Sequence, residues 1–113
     1  KPKSEIRERI IREFEYDLSA TMVDLKGMCI FDVTCQGSVP QAISAFLESE
    51  DFESAIRNAI VIGGDSDTLA CMAGAMAEAF YGGLPATIAE PVWRYLDAPL
   101  RLVVEAFRDK FVK

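Results

Sequence analysis

The sequence predicts an all-α protein, a compact helical bundle of about five to six helices. Every strongly periodic segment repeats its apolar residues at the helical spacing of three and four. No two alternating apolar segments are joined by a short turn, so no β-hairpin is indicated. Half of the 113 residues are hydrophobic and 27% are charged, a composition typical of a globular chain with a core.

The first segment of the chain predicts an amphipathic helix. Ser4 can accept hydrogen bonds from the amides of the first turn. Charged residues occupy one side of the helix, and the face expected to point inward consists of Ile6, Ile10, Ile11 and Phe14. Residues 19–37 fit no period for long, so we predict a loop there with one short helix around Met22–Met28.

Two further helices are predicted, one from Ser38 and one after Asp51. Pro40 lies in the first turn of the former, where its missing N–H costs nothing. The apolar face of that helix consists of Val39, Ala42, Ile43, Phe46 and Leu47. Asp51 can cap the second helix. Its apolar face consists of Phe52, Ala55, Ile56, Ala59 and Ile60. Residues 60–62 alone could form a buried strand, but the spacing from Asp51 favours a helix that stops at Gly63.

A long helix of small residues is predicted from Asp65 to Tyr81. Because small side chains let neighbouring helices approach closely, we expect this helix to be central and buried, with Cys71 packed inside. Gly82–Gly83 ends the helix, and the last helix of the chain starts near Pro99. The face of the last helix expected to point inward consists of Leu100, Val103, Val104, Phe107 and Phe111.

The composition excludes several classes of function. The chain contains no histidine, which removes the commonest general base and the commonest transition-metal ligand. A net charge of -6 argues against nucleic acid and anionic membrane as partners. No apolar run approaches the ~20 residues of a membrane span. The three cysteines are odd in number and lack CxxC spacing, which indicates a reduced, cytoplasmic protein.

The segment GGDSDT places two aspartates where one apolar run has stopped and another begins. One interpretation is a helix cap, because Asp is a favoured N-cap and a second acid suits the helix dipole. The other interpretation is a cation site. Asp65, Asp67 and Thr68 offer two carboxylates and a hydroxyl, the hard oxygen ligands that Mg²⁺ or Mn²⁺ prefers. A helix–loop–helix Ca²⁺ loop is excluded, because its required ligand and glycine positions fall on apolar residues.

The wider segment resembles the ADP-ribosylglycohydrolase family, which includes the dinitrogen-reductase-activating hydrolases. The family pattern is GGDxDT, followed by a helix of small residues and a Tyr-Gly turn before a proline. Residues 63–68 match the first part, and Tyr81, Gly82 and Pro85 close the helix. The similarity extends upstream through SVPQAISAFLESEDFESAIRNAI and covers about residues 30–96, and more loosely the rest.

The resemblance implies an all-α hydrolase with two Mg²⁺ or Mn²⁺ ions that removes ADP-ribose from a protein side chain or a small acceptor. It implies that Asp65, Asp67 and Thr68 are metal ligands. It also implies substrate contacts from the TCQGS loop before the helix at Val39 and from the glycines of the motif. These substrate-binding candidates are Cys35, Gln36, Gly37, Ser38, Gly63 and Gly64. No catalytic acid or base is assigned.

One part of the family pattern is missing from this sequence. The family completes its metal pair with an Asp-Asp cluster from an N-terminal segment, and this chain has no Asp-Asp pair. We therefore expect a single C-terminal portion of such an enzyme, with a partial fold of the family and half of the metal site. Such a chain would be inactive alone. The apolar surface left on its central helix would favour self-association, or exchange of the first helix between copies.

Two other functions stay open on the sequence. GGDSDT could be a turn and cap in a non-catalytic helical interaction module. It could also belong to a DxD-type, metal-dependent nucleotide-sugar enzyme, which would need residues 60–62 to end a strand.

Overall fold

The structure, a computed structural model, describes residues 1–27 and 31–112. All regular secondary structure in these residues is helical, which confirms the predicted all-α class. The described residues form seven helices: α1 (Lys3–Phe14), α2 (Met22–Leu25), α3 (Cys35–Leu47), α4 (Phe52–Ile62), α5 (Ser66–Tyr81), α6 (Ala86–Tyr95) and α7 (Ala98–Phe111). The predicted short helix is present as α2. Its expected end at Met28, like Cys29, lies outside the described residues.

Residues 1–83 form one unit, in which α3, α4 and α5 pack against one another. The connections 48–51 and 63–65 are short, so each helix turns back along the previous one. Ser49 Oγ lies 3.0 Å from the Tyr81 hydroxyl, which brings the C-terminal ends of α3 and α5 together. The two helices therefore run parallel, and both begin at the end of the unit where α4 stops.

Small residues let these three helices approach closely. The alanines that are fully buried between them are Ala42, Ala45, Ala55, Ala59, Ala73 and Ala77. Gly74 continues this pattern, because a Cβ there would lie 2.8 Å from Ile56 Cδ1 on α4. The prediction of a central small-residue helix is confirmed by the contacts of α5 with both α3 and α4.

The outer side of α5 differs from the expectation. Cys71 and Ala75 are exposed, so the prediction that Cys71 packs in the core is wrong. The physical reason is that α3 and α4 cover the side of α5 that carries Leu69 and Ala73. The self-association expected from the small apolar side chains of this helix stays a prediction.

The boundaries of α4 agree with the prediction. The Asp51 carboxylate accepts a hydrogen bond from the Ser54 amide at 2.7 Å, and the Ser54 hydroxyl completes a capping box. Gly63 follows the last residue of α4 with a φ of 86°. Since residues 60–62 belong to α4, the strand required by a DxD-type sugar enzyme is absent from the described residues.

Two predicted helix starts are wrong. α1 begins at Lys3 after Pro2, so Ser4 lies inside the helix and does not cap it. α3 begins at Cys35 rather than Ser38, because the Thr34 hydroxyl caps it by accepting a hydrogen bond from the Gly37 amide at 3.1 Å. Pro40 consequently lies in the second turn of α3 and not in the first.

The apolar faces predicted for α1 and α7 are less covered than expected. No residue of either helix is buried, and the side chains of Phe14, Phe107 and Phe111 are all more than half exposed. α7 belongs to the unit formed by residues 84–113, in which α6 and α7 are the helices present. A pair of helices has too little surface to bury two apolar stripes. Among the described residues, no helix combines the length and the apolar composition that a bilayer span requires.

Candidate functional site

The turn between α4 and α5 consists of Gly63, Gly64 and Asp65. Ile62, the last residue of α4, is 2% exposed and anchors the turn in the core. Gly63 has a φ of 86° and a ψ of -160°, a combination that is essentially restricted to glycine. Gly64 also has a positive φ, of 67°. The two glycines thus let the chain reverse within three residues and present Asp65 at the start of α5.

Replacing Gly63 by asparagine is expected to lower the free energy of unfolding by ~1–3 kcal/mol, because a side chain there is strained. Gly82→Asn is the matched control. Gly82 has a φ of 84° and a ψ of 29°, and a Cβ there meets no atom within 4 Å. Asparagine adopts this left-handed conformation readily, so the control should lose clearly less stability. Equal losses in urea unfolding would show that the Gly63 conformation does not define the turn.

Asp65 occupies the N-cap position of α5, but its side chain makes no capping hydrogen bond. Among the described residues, two other aspartates at helix N-caps behave differently. The Asp51 carboxylate accepts the Ser54 amide at 2.7 Å, and the Asp97 carboxylate accepts the Leu100 amide at 3.0 Å. The Asp65 carboxylate therefore does not cap α5, and its oxygens remain available to another partner.

Asp67 lies in the first turn of α5 with an exposed side chain. A hydrogen bond with the Asp65 side chain is the main cause that holds the pKa of Asp67 below its ordinary value of 3.8. The Thr68 amide contributes by donating to Asp67 Oδ1 at 2.9 Å. A divalent cation beside these two side chains would attract both carboxylates.

The donor atoms of this turn fit a hard divalent cation as part of a ligand set. Asp65 and Asp67 supply carboxylate oxygens, and the exposed Thr68 adds a hydroxyl oxygen. In the part of the chain that the structure describes, no group of three or more Asp, Glu, Cys or His side chains is arranged to hold a metal ion. Since Mg²⁺ takes six oxygen ligands, this turn supplies some of them and not all.

The substrate-binding candidates of α3 lie at the same end of the unit. Residues 35–38 form the first turn of α3 and not a loop, which corrects the predicted conformation. Because α3 and α5 run parallel, the first turn of α3 lies at the same end of the unit as Asp65 and the first turn of α5. Cys35 and Gln36 are exposed there, whereas Ser38 is buried and donates its hydroxyl to the Thr34 carbonyl at 2.7 Å.

Asp32 is a further acidic residue at this end that the sequence prediction missed. Its Oδ1 accepts hydrogen bonds from the Thr34 hydroxyl at 2.6 Å and from the Thr34 amide at 2.8 Å, which together lower the pKa of Asp32. The carboxyl group lies against Gly37, where a Cβ would overlap with the Asp32 carboxylate. The Asp-x-Thr pattern before a helix was the signal that could have identified this residue.

Most of the sequence matches a protein-family model. The ADP-ribosylglycohydrolase family matches residues 4–112. The comparisons with curated proteins and with solved structures returned no match. The family match includes the whole of α3, α4 and α5, together with the GGDSDT turn, and it extends beyond the part on which the sequence resemblance rested. The chain belongs to the ADP-ribosylglycohydrolase family.

Proposed function

We propose that this chain carries part of the cation site of a metal-dependent ADP-ribosyl hydrolase, in which Asp65, Asp67 and Thr68 bind Mg²⁺ or Mn²⁺. Family membership supports hydrolysis of a glycosidic bond. The observation that carries the cation role is the Asp65 side chain, which makes no capping hydrogen bond and instead lies beside Asp67. A helix cap alone, as in a non-catalytic interaction module, would use the Asp65 carboxylate for an amide of α5.

The Gly63–Asp65 turn and the start of α5 place the carboxylates of Asp65 and Asp67 where a positively charged partner can bind them. Their positions are determined by Gly63 and Gly64 before them and by the buried Leu69 after them. The lowered pKa of Asp67 keeps this side chain anionic in neutral and mildly acidic solution. The N-terminal end of α5 adds partial positive charge, which stabilises the carboxylates when no cation is bound. In a complete site, two bound ions would orient a water molecule, lower its pKa and attract the hydroxyls of the ribose.

The substrate proposed for this site is an ADP-ribose group on a protein side chain or on a small acceptor. The first turn of α3 supports this choice, because the positive end of a helix dipole favours a diphosphate. In this proposal Cys35 and Gln36 contact the substrate with their exposed side chains. Gly63 and Gly64 let a substrate approach the backbone, since neither carries a side chain.

The described residues alone are too few to fix two cations. Two carboxylates and one hydroxyl leave most positions around each ion to water, which Mg²⁺ releases reluctantly. We therefore propose that the remaining ligands come from another segment of the same enzyme. On this basis the 113-residue chain should bind ADP-ribose only weakly and should turn over ADP-ribosylated substrates poorly or not at all.

The test combines ADP-ribose binding with hydrolysis, both measured on the 113-residue chain with Mn²⁺ or with EDTA. We expect calorimetric ADP-ribose binding to be stronger with Mn²⁺, to lose this gain in Asp67→Asn, and to keep it in Asp51→Asn. Hydrolysis of ADP-ribosyl-arginine should stay near background. Turnover that persists in EDTA would contradict the cation role. Robust turnover that EDTA abolishes would instead show that the ligand set is more complete than proposed.

A further inference from the structure

The ammonium group of Lys3 is bound at the opposite end of the α3–α5 pair from Asp65. Lys3 Nζ donates a hydrogen bond to the Phe46 carbonyl at 2.9 Å and to the Tyr81 hydroxyl at 2.8 Å. It also donates to Ser49 Oγ at 3.1 Å and to the Ser49 carbonyl. All three N–H groups of the ammonium thus have acceptors, and these come from residues more than 40 positions away in the sequence.

The rings of Phe46 and Phe80 lie beside the same ammonium group. Lys3 Nζ lies 4.9 Å from the ring centre of Phe46 and 5.4 Å from that of Phe80, whereas it meets Tyr81 at the hydroxyl. A cation within ~6 Å of a ring centre is attracted by the negative face of the ring. The ammonium therefore meets carbonyl oxygens, hydroxyls and rings, and each of these groups favours positive charge.

The groups that bind this ammonium are held in place by their own contacts. The Tyr81 hydroxyl donates to the Ser49 carbonyl at 2.9 Å, and Ser49 Oγ donates to the Phe46 carbonyl at 2.6 Å. The Phe80 ring packs edge-to-face on Phe46 at 5.4 Å and on Tyr81 at 5.1 Å. None of these contacts involves Lys3. The arrangement should therefore persist when the lysine side chain is absent.

The position in the fold explains why a cation is favoured here. α3 ends at Leu47 and α5 ends at Tyr81, so the negative ends of two helix dipoles meet at this point. The last carbonyls of a helix lack intrahelical partners and need donors from elsewhere. The Phe46 carbonyl obtains such donors from Lys3 and from Ser49.

We propose that Phe46, Ser49, Phe80 and Tyr81 form a binding site for a primary alkylammonium group, with Lys3 as its ligand within the chain. A primary ammonium supplies three N–H donors from one compact charge, which suits convergent oxygens beside two aromatic rings. A quaternary ammonium has the charge but no donor, and a guanidinium is planar and larger. The site also attaches α1, because no residue of α1 is buried and Lys3 joins it to α3 and α5.

The site can be tested by removing its ligand and supplying another. Lys3→Met keeps an apolar stem but lacks the ammonium, and its melting temperature should fall by roughly 5–10 °C. Added n-butylammonium chloride should raise the melting temperature of this variant with a saturable dose response. Tetramethylammonium chloride and NaCl at equal concentration should not. The wild type, whose site is filled, should not respond, and neither should Lys26→Met, which replaces an exposed lysine.

Two results would overturn the proposal: no saturable response in Lys3→Met, or an equal response in the wild type. Adding Tyr81→Phe to Lys3→Met should abolish the response, because the substitution removes one acceptor hydroxyl. A second measurement applies to the wild type and does not depend on the folding of any variant. In a brief treatment with acetic anhydride, Lys3 should be acetylated about tenfold more slowly than Lys26. Equal rates by mass spectrometry would contradict a bound ammonium.

Discussion

Replacing Asp67 by asparagine is expected to abolish measurable Mn²⁺ binding by this chain. The wild type should bind Mn²⁺ with a dissociation constant on the order of a millimolar, since few carboxylates are offered. Loss of one of the two charged ligands should weaken Mn²⁺ binding by ~100-fold. This equals the upper end of the roughly 10–100-fold loss in metal affinity that follows when a residue that only supports a ligand is replaced. Asp65→Asn should have the same effect, because the two side chains lie together. Water-proton relaxation during a Mn²⁺ titration measures such weak binding.

The matched control is Asp51→Asn, which makes the same change in charge in the same unit of the chain. Its carboxylate caps α4 by accepting the Ser54 amide, and asparagine also serves as an N-cap. The control should therefore fold and bind Mn²⁺ as the wild type does. If all three variants lose binding equally, Mn²⁺ is attracted by the net negative charge of the protein and not by the turn.

Ile62→Ala is expected to lower the free energy of unfolding by ~2–5 kcal/mol, the typical result of truncating a buried isoleucine. Ile62 is 2% exposed and belongs to the core cluster with Leu69 and the alanines of α3–α5. Those alanines are already small, so the surrounding helices cannot easily close a new cavity. Urea unfolding of the full chain measures the loss.

Ile60→Ala is the control for this prediction, because it makes the same chemical change two residues earlier in the same helix. The Ile60 side chain is 56% exposed. Its truncation should change the free energy of unfolding by only ~0.5 kcal/mol, as is usual for surface positions. Similar losses in the two variants would contradict the packing of α4 against α3 and α5.

The elements that could be predicted from the sequence are those determined by local chemistry. The Asp51 side chain caps the start of α4, and Gly63 follows its end with a positive φ. Both residue types are recognisable signals of a helix end in the sequence. α5 follows in the same way from the segment after Gly64 and from the glycines after Tyr81. These boundaries depend on hydrogen bonds within one turn, so no knowledge of the tertiary structure is needed to find them.

The start of α3 was harder to predict, and so were the elements that cover the apolar faces of α1 and α7. Thr34 and Ser38 are both plausible caps, and the apolar period becomes regular only after the second of them. The amphipathic patterns of α1 and α7 show which side is apolar but not what covers it. α1 is held by the Lys3 ammonium, whose partners lie 43 and more positions further along the chain. No periodicity in the sequence of α1 indicates such partners.

The residues of the candidate site could be proposed from the sequence, but their surroundings could not be predicted. GGDSDT indicates Asp65, Asp67 and Thr68 as candidates, because two acids and a hydroxyl at the start of a helix are a local pattern, and their role as ligands stays a prediction. Asp32 was missed, because its place at the same end as Asp65 results from the parallel course of α3 and α5. The absence of a capping hydrogen bond at Asp65 is likewise a property of the folded turn.

The most direct test of the cation role is a crystal structure grown with Mn²⁺, with anomalous diffraction measured near the manganese absorption edge. An anomalous peak is predicted between Asp65 and Asp67, ~2.0–2.2 Å from carboxylate oxygens of both side chains. Asp65 should still make no capping hydrogen bond to α5. A map with no peak at this turn, and with the Asp65 carboxylate accepting the amide of a residue in the first turn of α5, would contradict the proposal and make GGDSDT a helix cap.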